Sequence, residues 1–333
     1  MVNVYHHQYP VGQGGLHLGI VGDYAYIYDC GGDSNADWNA HLKDINNKIK
    51  HCKELHIFIS HLHEDHYNKL SKLLNDIEST PKKIFLPYIS VIEKIIFICD
   101  YIIQKELSGD INREEEQELQ QYIRDVKNDE NRYETIRHEK EFEKNVDDII
   151  LKSYVTNILP NDERRFSKYL QMEGVDVDDL VNQIKTYNKD FWKKAVTAYR
   201  KTFHSARVSH KIMLNLYCGM NEVSIRYDDA IENWLHTGDA LMKTNKQIEG
   251  FKQNFGNLLN NVNQFQIPHH GSEHNHDWRF SVFCTHCWRK FYLTAQDNPP
   301  SNSRKFVTPK IDDITLCRCQ SIQKISEKPV TNI

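Results

Sequence analysis

His61-Leu62-His63-Glu64-Asp65-His66 follows directly on the run ELHIFIS at residues 54–60. That run is short, apolar and bounded by polar residues, as a buried strand is. A strand that ends there keeps His61 and His63 pointing the same way, because extended backbone alternates with period two. A turn then swings Asp65 and His66 toward a second position beside the first. Four donors in six residues can thus feed two adjacent cations. Imidazole suits zinc, and a carboxylate adds an anionic ligand. The competing reading is a histidine-rich surface loop.

Two further pieces fit this pattern. Asn233-Trp234-Leu235-His236-Thr237-Gly238-Asp239 places an aspartate after a strand and a tight glycine turn. A carboxylate there can bridge two cations with its two oxygens. Gln266-Ile267-Pro268-His269-His270-Gly271-Ser272 puts a histidine pair at the end of another strand. Either piece alone is weak. Together, in this order and at strand ends, they are strong.

The motifs SHLHEDH at 60–66, HTGD at 236–239 and PHHGS at 268–272 resemble those of metallo-β-lactamase-fold hydrolases. The opening VGQGG at 11–15, with YDCGG at 28–32, resembles the first strands of that fold. GQG and HHGS are most similar to the branch holding the competence-protein ComEC soluble domain and the phosphorylcholine esterases. The resemblance covers about residues 1–88 and 204–310. It implies an α+β fold, a four-layer αββα sandwich with a dinuclear metal site on one edge. It implies His61 and His63 as ligands of a first metal and Asp65 and His66 of a second. Asp239 would bridge them, and one of His269 and His270, His269 first, would complete the second site, leaving the other to donate a proton or contact a phosphate. A third histidine for the first metal is usual, and His204 is the candidate, with His210 as the alternative. Asp65 and His270 are the residues expected to act in catalysis. The cofactors implied are two divalent ions, Zn2+ first and Mn2+ second. Where related sequences carry His-Pro after the last core strand, this chain has Asn298-Pro299-Pro300-Ser301.

Along the chain, GIVGDYAYIY at 19–28, KIFLP at 83–87, KIMLNLY at 211–217, residues 222–227 and 232–235, NQFQI at 263–267 and FYLT at 291–294 read as strands. Leu70, Leu73, Leu74 and Ile77 recur at helical spacing. Residues 101–150 hold 15 acidic and 8 basic side chains, 23 of 50, and read as long exposed helices that could dock a protein partner. From 161 to 203 the helical character continues and turns basic. Lys185, Lys189 and Lys193 share one face there, opposite Trp192, Val196 and Tyr199. The expected organisation is therefore a catalytic domain over 1–88 and 204–333, with a helical insertion over 89–203.

The chain has 333 residues and a mass of 39.3 kDa, enough to bury a core without covalent staples. Its net charge of -4 excludes a globally basic nucleic-acid binder, though not a local basic patch. Mean hydropathy is -0.65, and 14 Gly with 9 Pro exclude a low-complexity chain. Eighteen histidines make imidazole chemistry the first thing to read. The N-terminus lacks a basic region followed by an apolar one, and the greasiest stretch, 89–103, is too short and too charged to span a bilayer. A cytoplasmic protein with free thiols is expected. Cys284, Cys287, Cys317 and Cys319 could instead hold a structural zinc, although their spacing fits no standard ribbon.

Two close cations activate water at neutral pH and neutralise charge that develops on attack. That chemistry serves phosphodiesters, lactones, thioesters and β-lactams alike, so ligands give hydrolysis before substrate. A phosphodiester is favoured, with nucleic acid as one form of it. The Trp/Tyr-bearing basic stretch 185–201 could track phosphates through Lys185, Lys189 and Lys193 and stack bases on its aromatics. The alternatives are a small-molecule ester, lactone or thioester hydrolase, with the insertion as a lid, and an effector subunit active only within a complex.

Overall fold

The computed structural model describes residues 3–11, 14–32, 36–61, 63–77, 82–108, 133–136, 142–156, 158, 160–177, 180, 189–203, 211–221, 232–242, 244–266, 268–271, 290–294 and 321–325. The chain divides into two compact units. One comprises Met1–Pro87, Glu134–Thr156 and Met213–Ile333, the other Tyr88–Tyr133 and Asn157–Ile212.

The first unit carries two mixed sheets. Strands β1 (Val4–Gln8), β2 (Gly15–Val21), β3 (Tyr24–Gly31), β4 (Glu54–Phe58), β5 (Lys82–Pro87) and β6 (Tyr133–Ile136) lie in that order in one sheet. β1, β2 and β3 pair antiparallel, whereas β3, β4 and β5 run parallel. The other sheet has the order β13 (Ser321–Ile325), β12 (Lys290–Thr294), β11 (Gln264–Gln266), β10 (Trp234–His236), β9 (Leu214–Met220), β8 (Ile149–Val155) and β7 (Glu143–Val146). It changes from antiparallel to parallel at β10, so β10, β11, β12 and β13 all run one way.

Period-two alternation in β3 explains how the sheets meet. Tyr24, Tyr26 and Tyr28 face the second sheet, where the Tyr26 hydroxyl lies 3.2 Å from His236 Nε2 and the Tyr28 hydroxyl donates to Leu214 O at 2.6 Å. Helices cover the outer faces. Helix α1 (Trp38–Ile49) buries Trp38, Leu42, Ile45 and Ile49 at helical spacing, and Lys48 caps the Tyr5 ring of β1 at 5.5 Å. Beyond α2 (Glu64–Tyr67), helix α3 (Leu70–Asp76) lies beside α1 and β3. On the far side α7 (Asn245–Phe255) starts at a Thr244–Gln247 capping box and buries Ile248, Phe251 and Phe255 in a cluster with Tyr217, Leu235 and Phe265. Each such side chain contributes about 2 kcal/mol. The result is the expected α+β fold with helix, sheet, sheet and helix in layers.

Two local expectations change. Residues 19–28 are not one strand but the two arms of a hairpin, because Gly22 takes φ 60 between Val21 and Tyr24. Among the described residues of the charged stretch 101–150, those at 101–108 belong to a helix, α4 (Val91–Ser108). β6, β7 and the first two residues of β8 fall in the same stretch. There Asp147, at φ 51, and Asp148 turn a tight hairpin, and Ile149, Ile150 and Leu151 are buried. Averaging charge over 50 residues hides a seven-residue apolar strand. Residues 134–156 accordingly go with the first unit, not with the helical middle expected over 89–203.

The second unit is helical where described. In α4, Ser90 and Glu93 form a reciprocal cap. Its Asp100 accepts from the Tyr199 hydroxyl of α6 (Lys189–Thr202) at 2.7 Å, and α5 (Pro160–Met172) packs on α6 through Phe166. Trp192, Val196 and Tyr199 are buried, as their spacing predicts. Residues 222–227 and Cys284, Cys287, Cys317 and Cys319 lie outside the described residues; Cys30, Cys52, Cys99 and Cys218 are buried free thiols. No helix among the described residues is long and apolar enough to cross a membrane.

Glycines set how closely the HxHxDH loop can approach the sheet. A Cβ on Gly31 would sit 2.5 Å from Asp65 C and O and 2.6 Å from His66 N. Gly31→Ala should therefore cost about 3 kcal/mol of stability. Gly174→Ala, at φ 74 with open space around it, should cost only about 1 kcal/mol. Urea unfolding of both variants checks the contrast, and equal losses would contradict the close approach.

Candidate metal centre

Three strand ends converge on one point. β4 runs out into Ser60 and His61, β10 into Thr237, Gly238 and Asp239, and β11 into a short 3-10 turn, Pro268–Gly271. Each strand lies in the parallel part of its sheet, where strand ends open onto the crevices that hold ligands. The turns are stapled together. Thr237 Oγ1 donates to Gln266 O at 2.8 Å, and His269 N–H donates to Gly238 O at 3.0 Å. Gly238 takes φ 50, and a Cβ there would meet Ser60 Cβ at 2.6 Å, so the HTGD turn needs glycine to sit on the β4 exit. His269 itself is held at φ 49.

The donors gather around the Asp239 carboxylate. His61 Nε2 is 3.7 Å and His269 Nε2 3.4 Å from its Oδ2, and His66 Nε2 is 3.3 Å from its Oδ1. Asp65 Oδ2 lies 3.9 Å from His66 Nε2 on the more open side. One ligand atom each from His61, His63 and Asp239 falls within 4.8 Å of the others. Most of these separations exceed a hydrogen bond, and a cation between imidazole nitrogens and a carboxylate suits them. Donor chemistry and spacing therefore fit a divalent ion, with His61, His63, Asp65, His66, Asp239 and His269 all at one place. His204 and the side chain of His270 lie outside the described residues.

Charge supports the same reading. Burial opposes the charged form of His66, but the carboxylates of Asp29, Asp65 and Asp239 overcome it and raise its pKa well above the usual imidazole range. Burial likewise opposes a charged Asp239, yet His269, His66 and His61 hold its carboxyl well below the usual range. A buried anion ringed by imidazoles is a site that trades protons for a metal.

Sequence reasoning missed what orients these ligands. Asp29 is the bulged residue of β3: Leu16 pairs with Cys30 and His17 with Tyr28, leaving Asp29 between them at φ 59. A bulge re-aims one side chain. Asp29 points its carboxylate at the β4 exit, where Oδ1 accepts from Ser60 N–H at 2.7 Å. Its Oδ2 accepts from the Ser60 hydroxyl at 2.9 Å and from His66 Nδ1 at 2.8 Å. With its proton given to Asp29, the Ser60 oxygen accepts from His61 Nδ1 at 3.0 Å. Both histidines are thereby fixed with Nε2 toward Asp239, as a carboxylate behind a ligating histidine does. The signal available in sequence was an aspartate beside two glycines at a strand end.

No protein-family model matches the sequence, and no curated protein does. Among solved structures, the chain is similar over 98% of its length to the metallo-beta-lactamase fold protein YhfI from Bacillus subtilis, covering 99% of that chain at 10% identity and a TM-score of 0.40. It is similar over 91% of its length to the short form of human tRNase Z, covering 97% of that chain at 12% identity and a TM-score of 0.42. A long form RNase Z from yeast is similar over 88% of this chain and 37% of its own, at 9% identity and a TM-score of 0.36. Neither reaction nor substrate follows from these likenesses.

Asp29→Asn keeps the size of the side chain and tolerates its backbone, but it removes the negative charge behind His66. Metal affinity should fall about 10–100-fold while the chain stays folded. Competition with a chromophoric chelator measures this. An unchanged affinity would reduce Asp29 to a packing role.

Proposed function

We propose that the chain is a metal-dependent hydrolase of the metallo-β-lactamase type, holding two divalent ions, Zn2+ first and Mn2+ second. One observation carries this: His61, His63 and Asp239 offer donors within 4.8 Å of one another, with His66 and His269 on the same carboxylate. His61 and His63 would hold one ion, Asp65, His66 and His269 the other, and Asp239 both. His204 is the proposed remaining ligand of the first, with His270 beside the second as proton donor or phosphate contact. Ions bound there would lower the pKa of water and draw charge off the substrate's oxygens. The chain's own residues fix the ligand nitrogens through Asp29 and Ser60. Asp65, 31% exposed, would face an entering substrate.

The proposed substrate is a phosphodiester, with nucleic acid as the favoured form. Lys189 and Lys193 are exposed one turn apart on α6, and Arg200 and Lys201 follow them; a phosphate backbone suits such a face. The aromatic part of the expectation does not hold. Trp192 and Tyr199 are 5% and 1% exposed, so they anchor the helix and cannot stack on bases. The relation to the ComEC-like branch and a cytoplasmic setting belong to the same proposal.

Protein purified without chelator should carry close to two metals by elemental analysis and cleave members of a panel of phosphodiesters, nucleic acids, lactones and thioesters. Asp65→Ala should lower that hydrolysis by orders of magnitude without unfolding the chain. Near-full activity in the variant would remove the dinuclear reading.

Lys185→Glu, Lys189→Glu and Lys193→Glu combined should weaken nucleic-acid binding and flatten its salt dependence, since fewer counterions are released. Cleavage of a small chromogenic phosphodiester should be nearly spared. Unaltered affinity and salt slope would favour a small-molecule substrate.

A further inference from the structure

A second histidine cluster lies in the seam between the two sheets of the first unit, and the proposed reaction does not use it. His6 of β1, His17 of β2 and His236 of β10 meet around Tyr26 of β3. His6 Nδ1 is 3.2 Å from His17 Nε2, and the Tyr26 hydroxyl is 3.3 Å from His6 Nδ1 and 3.2 Å from His236 Nε2. The His17 ring centre is 4.3 Å from those of both Trp234 and His236. Gly19 pairs with both His6 and Tyr26, and a Cβ there would collide with the Tyr26 ring, so this glycine makes room for the tyrosine between the histidines. His17 and His236 are buried. His6 is half-buried, with its Nε2 closed off from solvent.

Apart from Glu232, what faces this cluster is neutral or positive. β1 adds His7, and Gln8, whose Oε1 is 3.2 Å from His17 Nδ1. β3 adds Tyr26 and Tyr28, β9 adds Cys218, and burial pushes the Cys218 thiol up to about 12. The nearby carboxylate, Glu232, is engaged by Trp234 Nε1 at 3.1 Å. Among the described residues no carboxylate hydrogen-bonds any of the three imidazoles. Burial holds His6 down at about 3 and His17 and His236 well below the usual range, and mutual repulsion adds to it.

We propose that His6, His17 and His236 form an acid-sensitive latch across the seam, closed while the three imidazoles are neutral and opened when they take up protons. Opening it frees β10 from the first sheet. Asp239 lies three residues beyond His236, so the arrangement around its carboxylate is lost with the seam. The sign follows from linkage. Unfolded imidazoles gain protons below about 6.5 and the seam imidazoles do not, so stability is full above that pH and falls as pH drops below it.

Urea unfolding of the full chain between pH 8 and pH 4.5 tests the latch. Each seam histidine should add a factor of about ten per pH unit to the rise of the unfolding constant below pH 6, about a thousandfold for all three. His6→Gln, His17→Gln and His236→Gln should each flatten the dependence by about tenfold per pH unit. Carboxylates and the residues around Asp239 contribute an equal background to every chain. Variants that fold and keep the wild-type slope would overturn the proposal. If a variant does not fold, NMR titration of the wild-type imidazole ring protons decides instead. All three must stay neutral until the chain unfolds, and one titrating near 6.5 in the folded chain would overturn the latch.

Discussion

A carboxylate cut off from water has to be met by donors, and Asp29 is such a group, with no exposed surface. Its two oxygens take the Ser60 amide, the Ser60 hydroxyl and His66 Nδ1. Hydrogen bonds to a charged group contribute about 1.5–3 kcal/mol each, and losing the carboxylate would strand three donors at once. The same bonds set the exit direction of β4 and the rotation of two imidazoles. Around them, Gly31 lets the HxHxDH backbone come down onto β3, and Gly238 lets the HTGD turn sit on Ser60. The geometry near Asp239 therefore depends on a bulge in a neighbouring strand more than on the ligands' own strands.

That dependence explains what the sequence could and could not disclose. The donors were legible because their chemistry is rare and their spacing local: His61, His63, Asp65 and His66 within six residues, then Asp239 and His269 each after a short apolar run. Asp29 was not, because a bulge is defined only by register with a partner. Nothing in YDCGG says that the pairing skips from His17–Tyr28 to Leu16–Cys30. The β7–β8 hairpin was hidden for a different reason. Its outer strand reads Glu143-Lys144-Asn145-Val146, polar enough to pass for an exposed helix, and its fold is decided by burial of Ile149, Ile150 and Leu151 against β9. Tyr199 and Trp192 show the converse. Their helical spacing puts them on one face, but spacing leaves open whether that face meets protein or ligand.

The described histidines at these two places separate by what faces them. Around Asp239, carboxylates outweigh desolvation, so His66 is raised and its proton is exchangeable for a cation. Around Tyr26, desolvation meets no opposing charge, so His6, His17 and His236 stay neutral and behave as polar aromatic packing. One residue type thus does two jobs within a single sheet sandwich, and the difference lies in neighbours far apart in the chain. It also sets a limit on position. Asp239 lies three residues beyond the end of β10 at His236, so the strand that closes the neutral seam also delivers the carboxylate of the charged site. A shift of β10 by one residue would turn Trp234 and His236 together to the opposite face. The Trp234–Gln264 and Leu235–Phe265 register, with Asn263 N–H and Gln264 N–H both donating to Asn233 O, therefore fixes the two histidine environments together.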